Sequence, residues 1–325
     1  MKVSKLKLFK EKNAIIYSAV FSFGFFKRKK IWFRIPNFVS LDSSPDNAFF
    51  VLSYVMSLVL GEDLYFEGVV SRKLNKNIKK INKHLGFSKR KIKINVTRTI
   101  HEEKKGKAIA QFFTLGVDSF YTLINKRREI QYLIFVDGFD VPIKPNKLKR
   151  IVHKGIKNIA LKTNSKAIFM STNIREISDR IMNWELFHGT ALASAGLLFS
   201  PAKKIYINSS EAYLFNTVYG TGPKVDRLWT TERISFIPHG SKVSRIKKIE
   251  ALVKSDMRNI VLKNLRACWK NVYNKRYSYN CSRCEKCVRT QLGFIAYGIE
   301  SFPTFKKLSD YFKEHFNSSP CRAEI

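Results

Sequence analysis

The hydrophobic pattern changes period along the chain. Ile15 to Phe26 (IIYSAVFSFGFF) and Ile31 to Ile35 (IWFRI) are aromatic, β-prone runs on either side of the basic Lys27-Arg28-Lys29-Lys30. Such runs around a polar turn predict a β-hairpin. With Lys2 to Lys12 ahead of it, the first run also imitates a signal peptide, but no small-x-small cleavage site follows. A hairpin in a cytoplasmic protein is the expectation. Ala48 to Leu60 (AFFVLSYVMSLVL) is apolar throughout and ends at Gly61-Glu62-Asp63. It is too short to cross a bilayer and predicts a buried helix. Leu74, Ile78, Ile81 and Leu85 then recur at helical spacing, with Arg72, Lys73, Lys76, Lys79, Lys80 and Lys83 on the remaining faces. No acidic residue lies between Ser71 and His101. This helix suits a phosphate backbone or simply solvent.

Beyond residue 106 the pattern alternates. Continuous apolar runs at Ala108–Phe113, Tyr132–Val136, Ala167–Met170, Lys204–Asn208 and Ile234–Ile237 are separated by helix-length segments near 118–128, 146–164, 183–199 and 211–217. Apolar strands alternating with helices predict an α/β fold, a parallel sheet with helices on both faces. Ligands of such sheets sit at the carboxyl ends of the strands. From Lys242 to Leu265 the chain is basic and helix-like, and a cysteine-rich segment and a short tail follow. Three stretches emerge: an N-terminal basic α+β domain (1–105), a parallel-sheet domain (106–240) and a helical C-terminal region (241–325).

Charge sharpens this picture. Sixty Lys+Arg stand against 25 Asp+Glu, a formal net charge of +35. That balance points to a polyanion, an acidic surface or a phosphate-bearing ligand. The Lys- and Ile-rich composition of an AT-rich genome produces the same charge without any partner. With 45% hydrophobic residues, the chain is not of the disordered class.

Two motifs carry chemistry. Cys268, Cys281, Cys284 and Cys287 are spaced C-x12-C-x2-C-x2-C. Short C-x2-C steps aim sulfurs at one point, which suits a structural Zn2+ tetrahedron; disulfides and an iron–sulfur cluster are the competing readings. Cys321 stands apart. The second motif is Thr114-Leu115-Gly116-Val117-Asp118-Ser119, where the first parallel strand turns into a helix. By itself this turn is either a helix cap or a phosphate site at a helix N-terminus.

Together, Thr114–Ser119 and the segment Leu265-Arg266-Ala267-Cys268-Trp269 with Asn280–Thr290 (NCSRCEKCVRT) resemble the PP-loop ATP pyrophosphatases, specifically the 7-cyano-7-deazaguanine synthase branch. The resemblance covers about 107–295. It implies a Rossmann-like adenine-nucleotide α-hydrolase sandwich, with ATP cleaved to AMP and pyrophosphate. A carboxylate or amide oxygen is activated as its adenylate, and a nitrogen nucleophile attacks. It further implies Mg2+ on the pyrophosphate and Zn2+ on the four cysteines. Thr114 and Ser119 would supply hydroxyls, Gly116 and Val117 amides, and Asp118 a metal or water contact. Asp118 and Ser119 are the catalytic candidates. Thr114, Leu115, Gly116, Val117, Asp137, Asn173 and Arg245 join them as nucleotide-binding candidates, with Lys248 beside the leaving pyrophosphate.

The chain departs from the signature at Thr114 (for Ser) and at Leu115 (for Gly). A leucine there is strained if the position needs positive φ, and crowds the phosphate if it needs room. Thr114 keeps the hydroxyl, whereas either effect at Leu115 would weaken turnover and favour a non-hydrolysing nucleotide-binding protein. A tRNA-modifying enzyme, using the basic N-terminal domain, is the other alternative. Less specific candidates are Asp140, Ser171, Thr172, His188 and the loop Gly220–Asp226. That loop lacks the synthase's own substrate motif, so a deazaguanine substrate is not expected.

Overall fold

The computed structural model describes residues 1–24, 27–39, 41, 44–86, 91–103, 106–210, 220–269, 279–300 and 303–308. The expected helix at 211–217 and Cys321 lie outside them. Alternation shapes the N-terminal strands. In β2 (Ala14–Phe23) the side chains of Ile15, Tyr17, Ala19 and Phe21 are buried on one face, as are Ile31, Phe33 and Ile35 of β3 (Lys27–Pro36). The two pair antiparallel as the expected hairpin, from Ala14↔Pro36 to Phe23↔Lys27. A further strand, β1 (Lys2–Lys10), lies antiparallel on β2. Its lysines gave a basic signal that masked its alternation.

The apolar run forms α1 (Asn47–Leu60), closed by Gly61 in the left-handed conformation. It is buried on nearly every side, which explains its lack of a polar face. Strand β4 (Leu64–Ser71) follows, then α2 (Arg72–Ile78) and α3 (Ile81–Leu85), then β5 (Ile94–Ile100). The single predicted helix is thus two short ones. Its stripe of Leu74, Ile78, Ile81 and Leu85 is buried across both, and its basic residues are exposed.

The second half alternates as its pattern predicts: β6 (Ala108–Phe112), α4 (Val117–Lys126), β7 (Tyr132–Asp137), α5 (Lys147–Lys162), β8 (Lys166–Thr172), α6 (Arg175–Ser178), α7 (Trp184–Leu197), β9 (Ala202–Asn208), α8 (Pro223–Asp226), β10 (Ser235–His239). Helices α9 (Arg245–Lys254), α10 (Arg258–Asn264) and α11 (Glu285–Ile295) follow. All ten strands form one sheet in the order β10-β9-β6-β7-β8-β3-β2-β1-β4-β5. Strands β6 to β10 are mutually parallel. An antiparallel β3–β8 contact, Phe33↔Thr172 and Arg34↔Ser171, fuses the N-terminal strands to them. The stretches on either side of residue 106 therefore share one sheet.

Helices α1 and α7 pack on one face. Close approach there needs small residues: Ser194 Oγ donates to Ala48 O at 2.7 Å, and a Cβ on Gly196 would lie 2.6 Å from the Phe236 ring. Helices α4, α5, α9, α10 and α11 supply the core of the other face. Strand order reverses between β6 and β9, so the crevice outside that pair is the ligand-binding end of the sheet.

Candidate functional site

The turn after β6 stands at this crevice. Leu115 has φ +63°, the left-handed conformation in which a glycine costs nothing. Its side chain is 0% exposed and turned into the core beneath the loop, beside Gly155 of α5, whose added Cβ would lie 3.4 Å from Leu115 Cδ1. Strain is therefore present and crowding is not. The left-handed backbone costs roughly 1–2 kcal/mol, and burying a leucine returns roughly 1.5–3 kcal/mol.

Gly116 is the N-cap of α4 and offers no side chain to the amides of Val117, Asp118 and Ser119. These first-turn donors face the crevice at the positive end of the helix dipole. The hydroxyls of Thr114 and Ser119 are 3.0 Å apart, and Thr114 N–H donates to Ser119 Oγ. Gln111 Nε2 donates to Ser119 O and to Asn208 Oδ1, both at 2.7 Å, while Asn208 Nδ2 reaches Phe112 O and Ser119 Oγ. These two amides bridge the ends of β6 and β9 at the point of strand reversal. The sequence reading missed both. A polar amide inside an apolar parallel strand (AIAQF, KIYIN) was the available signal.

Two cations from α9 converge on Asp118. Lys248, its side chain wholly buried, sets Nζ 2.7 Å from Asp118 Oδ1 and 2.5 Å from Ser209 O. Arg245 Nη1 lies 3.4 Å from Asp118 Oδ2, and its Nη2 donates to Thr290 Oγ1 on α11. Both Asp118 oxygens are thus engaged by cations, so its carboxylate positions Lys248 and Arg245. Ser244 Oγ caps α9 and so fixes the first turn that carries them.

The other strand-tip candidates have different neighbours. Asp137 is buried and paired with Lys149 Nζ and His153 Nε2 of α5, each at 3.0 Å. Asn173 accepts from Trp32 N–H and donates to Lys30 O, so its amide fastens β8 to β3. Beside them, Gly138, Val141, Thr172 and Arg175 line a cavity of about 300 Å³. His188 lies at the start of α7, with Nδ1 2.8 Å from Glu185 O and Nε2 3.3 Å from Thr221 Oγ1. Burial holds its pKa below the ordinary value, with Lys286 adding to the same effect, so it is neutral at pH 7.

The four cysteines meet. Cys268, Cys281, Cys284 and Cys287 are free thiols whose sulfurs lie within 4.8 Å of one another. A tetrahedral S4 zinc site sets its sulfurs roughly 3.8 Å apart; Cys281 and Cys287 are at 3.9 Å. The cluster can therefore hold a single metal ion such as zinc. Hydrogen bonds from Cys284 and Cys287 lower the Cys268 pKa, and the bond with Cys268 pushes that of Cys284 up to about 11.

This cluster is wired to the turn after β6. Asn280 Oδ1 accepts from the N–H groups of Ala267 and Cys268, and its Nδ2 donates to Leu265 O. The segment so held presents Arg266 N–H to Leu115 O at 2.9 Å. Arg266 Nη2 also donates to Asp140 O. Thr290, one turn beyond Cys287, holds Arg245. The cysteine segment thus braces the loop from below and its cations from the side.

No protein-family model matches the chain, and neither does any curated protein or solved structure. Among the described residues, no helix is long and apolar enough to cross a membrane.

Proposed function

We infer that the chain is an adenylating enzyme of the PP-loop type, converting ATP to AMP and pyrophosphate while activating a carboxylate or amide oxygen for a nitrogen nucleophile. One observation carries this reading: at the strand reversal, an uncapped helix N-terminus with a left-handed residue before it faces two buried or nearly buried cations. Free amides of Val117 to Ser119 suit phosphate oxygens, and the Thr114 and Ser119 hydroxyls extend that donor set. The substrate oxygen attacks the α-phosphorus and the bond to the β-phosphate oxygen breaks. Pyrophosphate leaves with the charge that Lys248 and Arg245 are placed to neutralise. Their pairing with Asp118 holds them ready without letting them fold away. Magnesium, where required, arrives with the triphosphate in this reading.

The Rossmann-like sandwich belongs to the same proposal and is supported by the order of the five parallel strands, 5-4-1-2-3 in their own sequence. Zinc on the four cysteines is proposed as structural: all four sulfurs are used, and no coordination position remains for water. A loop silenced by Leu115 is less favoured, because the leucine side chain leaves the phosphate side open. Incubation with α-labelled ATP and magnesium, with and without ammonium or total tRNA, tests the reading. AMP is the expected product. Labelled ADP as the sole product would overturn it.

A further inference from the structure

Among the described residues, helices cover the parallel half of the sheet on both faces, whereas β1, β2 and β3 have a helix, α1, on one. Antiparallel register identifies what the other face presents. Lys7 opposes Ser18, Phe9 opposes Ile16, and these in turn oppose Trp32 and Arg34; Val20 opposes Lys30, and Ser22 opposes Arg28. Residues opposite one another share a face. The face opposite the α1 core therefore carries Lys7, Phe9, Arg28, Lys30 and Trp32 together. Phe9 is 48% exposed, and Lys30 Nζ sits 5.4 Å from its ring centroid. Among the described residues, no carboxylate pairs with Lys7, Arg28 or Lys30.

The same face runs to the ligand end of the sheet. Phe33 pairs with Thr172, the last residue of β8, and Trp32 N–H is held by Asn173 just beyond it. Arg28 precedes Phe33 by five residues, so at about 3.3 Å per residue it overhangs the tip of β8 by roughly 16 Å. Strand β8 is parallel to β6, so this overhang lies at the end that carries the α4 N-terminus. Three strand positions separate β3 from β6, roughly 14 Å.

We propose that this open face is a docking platform for single-stranded nucleic acid, leading toward the strand-tip crevice. Cations without a carboxylate partner track a phosphate backbone, and the exposed Phe9 ring among them, with half-buried Trp32 on the same face, stacks on bases without regard to sequence. A rigid duplex has no free bases for Phe9 and Trp32, and a lipid surface would call for an apolar rim rather than isolated rings among lysines. The platform stands apart from the adenylation reading, because binding needs neither ATP nor a working loop.

Fluorescence anisotropy without ATP tests it, using labelled 12-nucleotide single strands of RNA and DNA, a duplex of equal length and anionic phosphatidylserine vesicles. Tight single-strand binding is expected, with weaker binding to the duplex and vesicles. Phe9→Ala should weaken it about tenfold. The Lys7→Gln/Arg28→Gln/Lys30→Gln triple variant should make the log–log salt slope less negative by about 2. A Lys76→Gln/Lys79→Gln/Lys80→Gln variant removes equal charge from the exposed sides of α2 and α3 and should change affinity less than twofold. The altered side chains at 9, 28, 30 and 7 are exposed, and melting curves verify folding. Equal losses in the two triple variants would overturn the platform, as would duplex or vesicle binding at least as tight as that of the single strands. A preference between RNA and DNA identifies which strand is carried.

Discussion

The two halves of the sheet differ in how they are covered. Strands β6 to β9 have helices on both faces and read in the sequence as mostly apolar runs, with the amides Gln111 and Asn208 at the crevice. Strands β1 to β3 have α1 on one face and read as alternation, with serine, lysine or arginine recurring on the other face among Phe9, Ile16, Val20 and Trp32. Coverage, rather than strand propensity, sets the pattern. The difference also separates two kinds of chemistry. The covered half can bury Lys248 and hold it against Asp118, while the open half can only display its cations.

Breaking the brace under the covered half should have the largest effect. Cys284→Ser is expected to release about one zinc per chain and to cost on the order of 5 kcal/mol, a fraction of the ~10 kcal/mol or more that structural zinc contributes to small domains. Metal analysis and thermal melting read this, and unchanged metal content would exclude the cluster. ATP binding should fall with it, because Arg266 then loses its hold on Leu115 O.

Lys248→Met comes next. It leaves Asp118 with Arg245 alone, so a loss of about 1–3 kcal/mol in stability is expected. AMP formation should drop about 100-fold or more, in line with removing one preorganised charge from a transition state. Wild-type turnover in this variant would remove Lys248 from the phosphate site.

Asp226 tests the covered layer by pH. It is fully buried, and desolvation pushes its pKa up to about 8; among the described residues Oδ2 has no hydrogen-bond partner. The folded protein therefore keeps a proton that the unfolded chain releases near pH 4. Stability from this group is complete below pH 4 and is lost as pH rises toward 8. Melting temperature should fall between pH 5 and 8 in the wild type and fall less in Asp226→Asn. Parallel curves would show that the group is charged in the fold.

The smallest change is expected from Leu115→Gly. Relief of about 1–2 kcal/mol of strain is offset by lost burial of similar size. Stability should shift by about 1 kcal/mol or less, and the rate of AMP formation should stay within a few-fold. A large gain in rate would mean that the leucine restrains the loop.

Much of this was legible beforehand, for physical reasons. Periodicity located α1, the hairpin, the five parallel strands and α4, α5 and α7, because each has one unbroken hydrophobic period. Cysteine spacing located the cluster, since C-x2-C geometry is local. Strand β1 was missed because its outward face is lysine. Strands β4 and β5, the latter at the sheet edge, were missed because each carries polar residues at alternate places. The stripe at 74–85 was read as one helix because burial preserves the period across the Lys79-Lys80 break. Asp137 and Asn173 sit at strand tips as read, but His153 and Trp32, which engage them, are distant in sequence. The Arg266–Leu115 contact likewise joins residues whose pairing no local pattern encodes.

Product analysis with α-labelled ATP tests the adenylation reading most directly. Labelled AMP in equal amount to pyrophosphate is expected from the wild type, and its formation should depend on Lys248. ATP bound without any AMP, under every additive and in Leu115→Gly as well, would contradict adenylation and leave the crevice as a nucleotide-binding site alone.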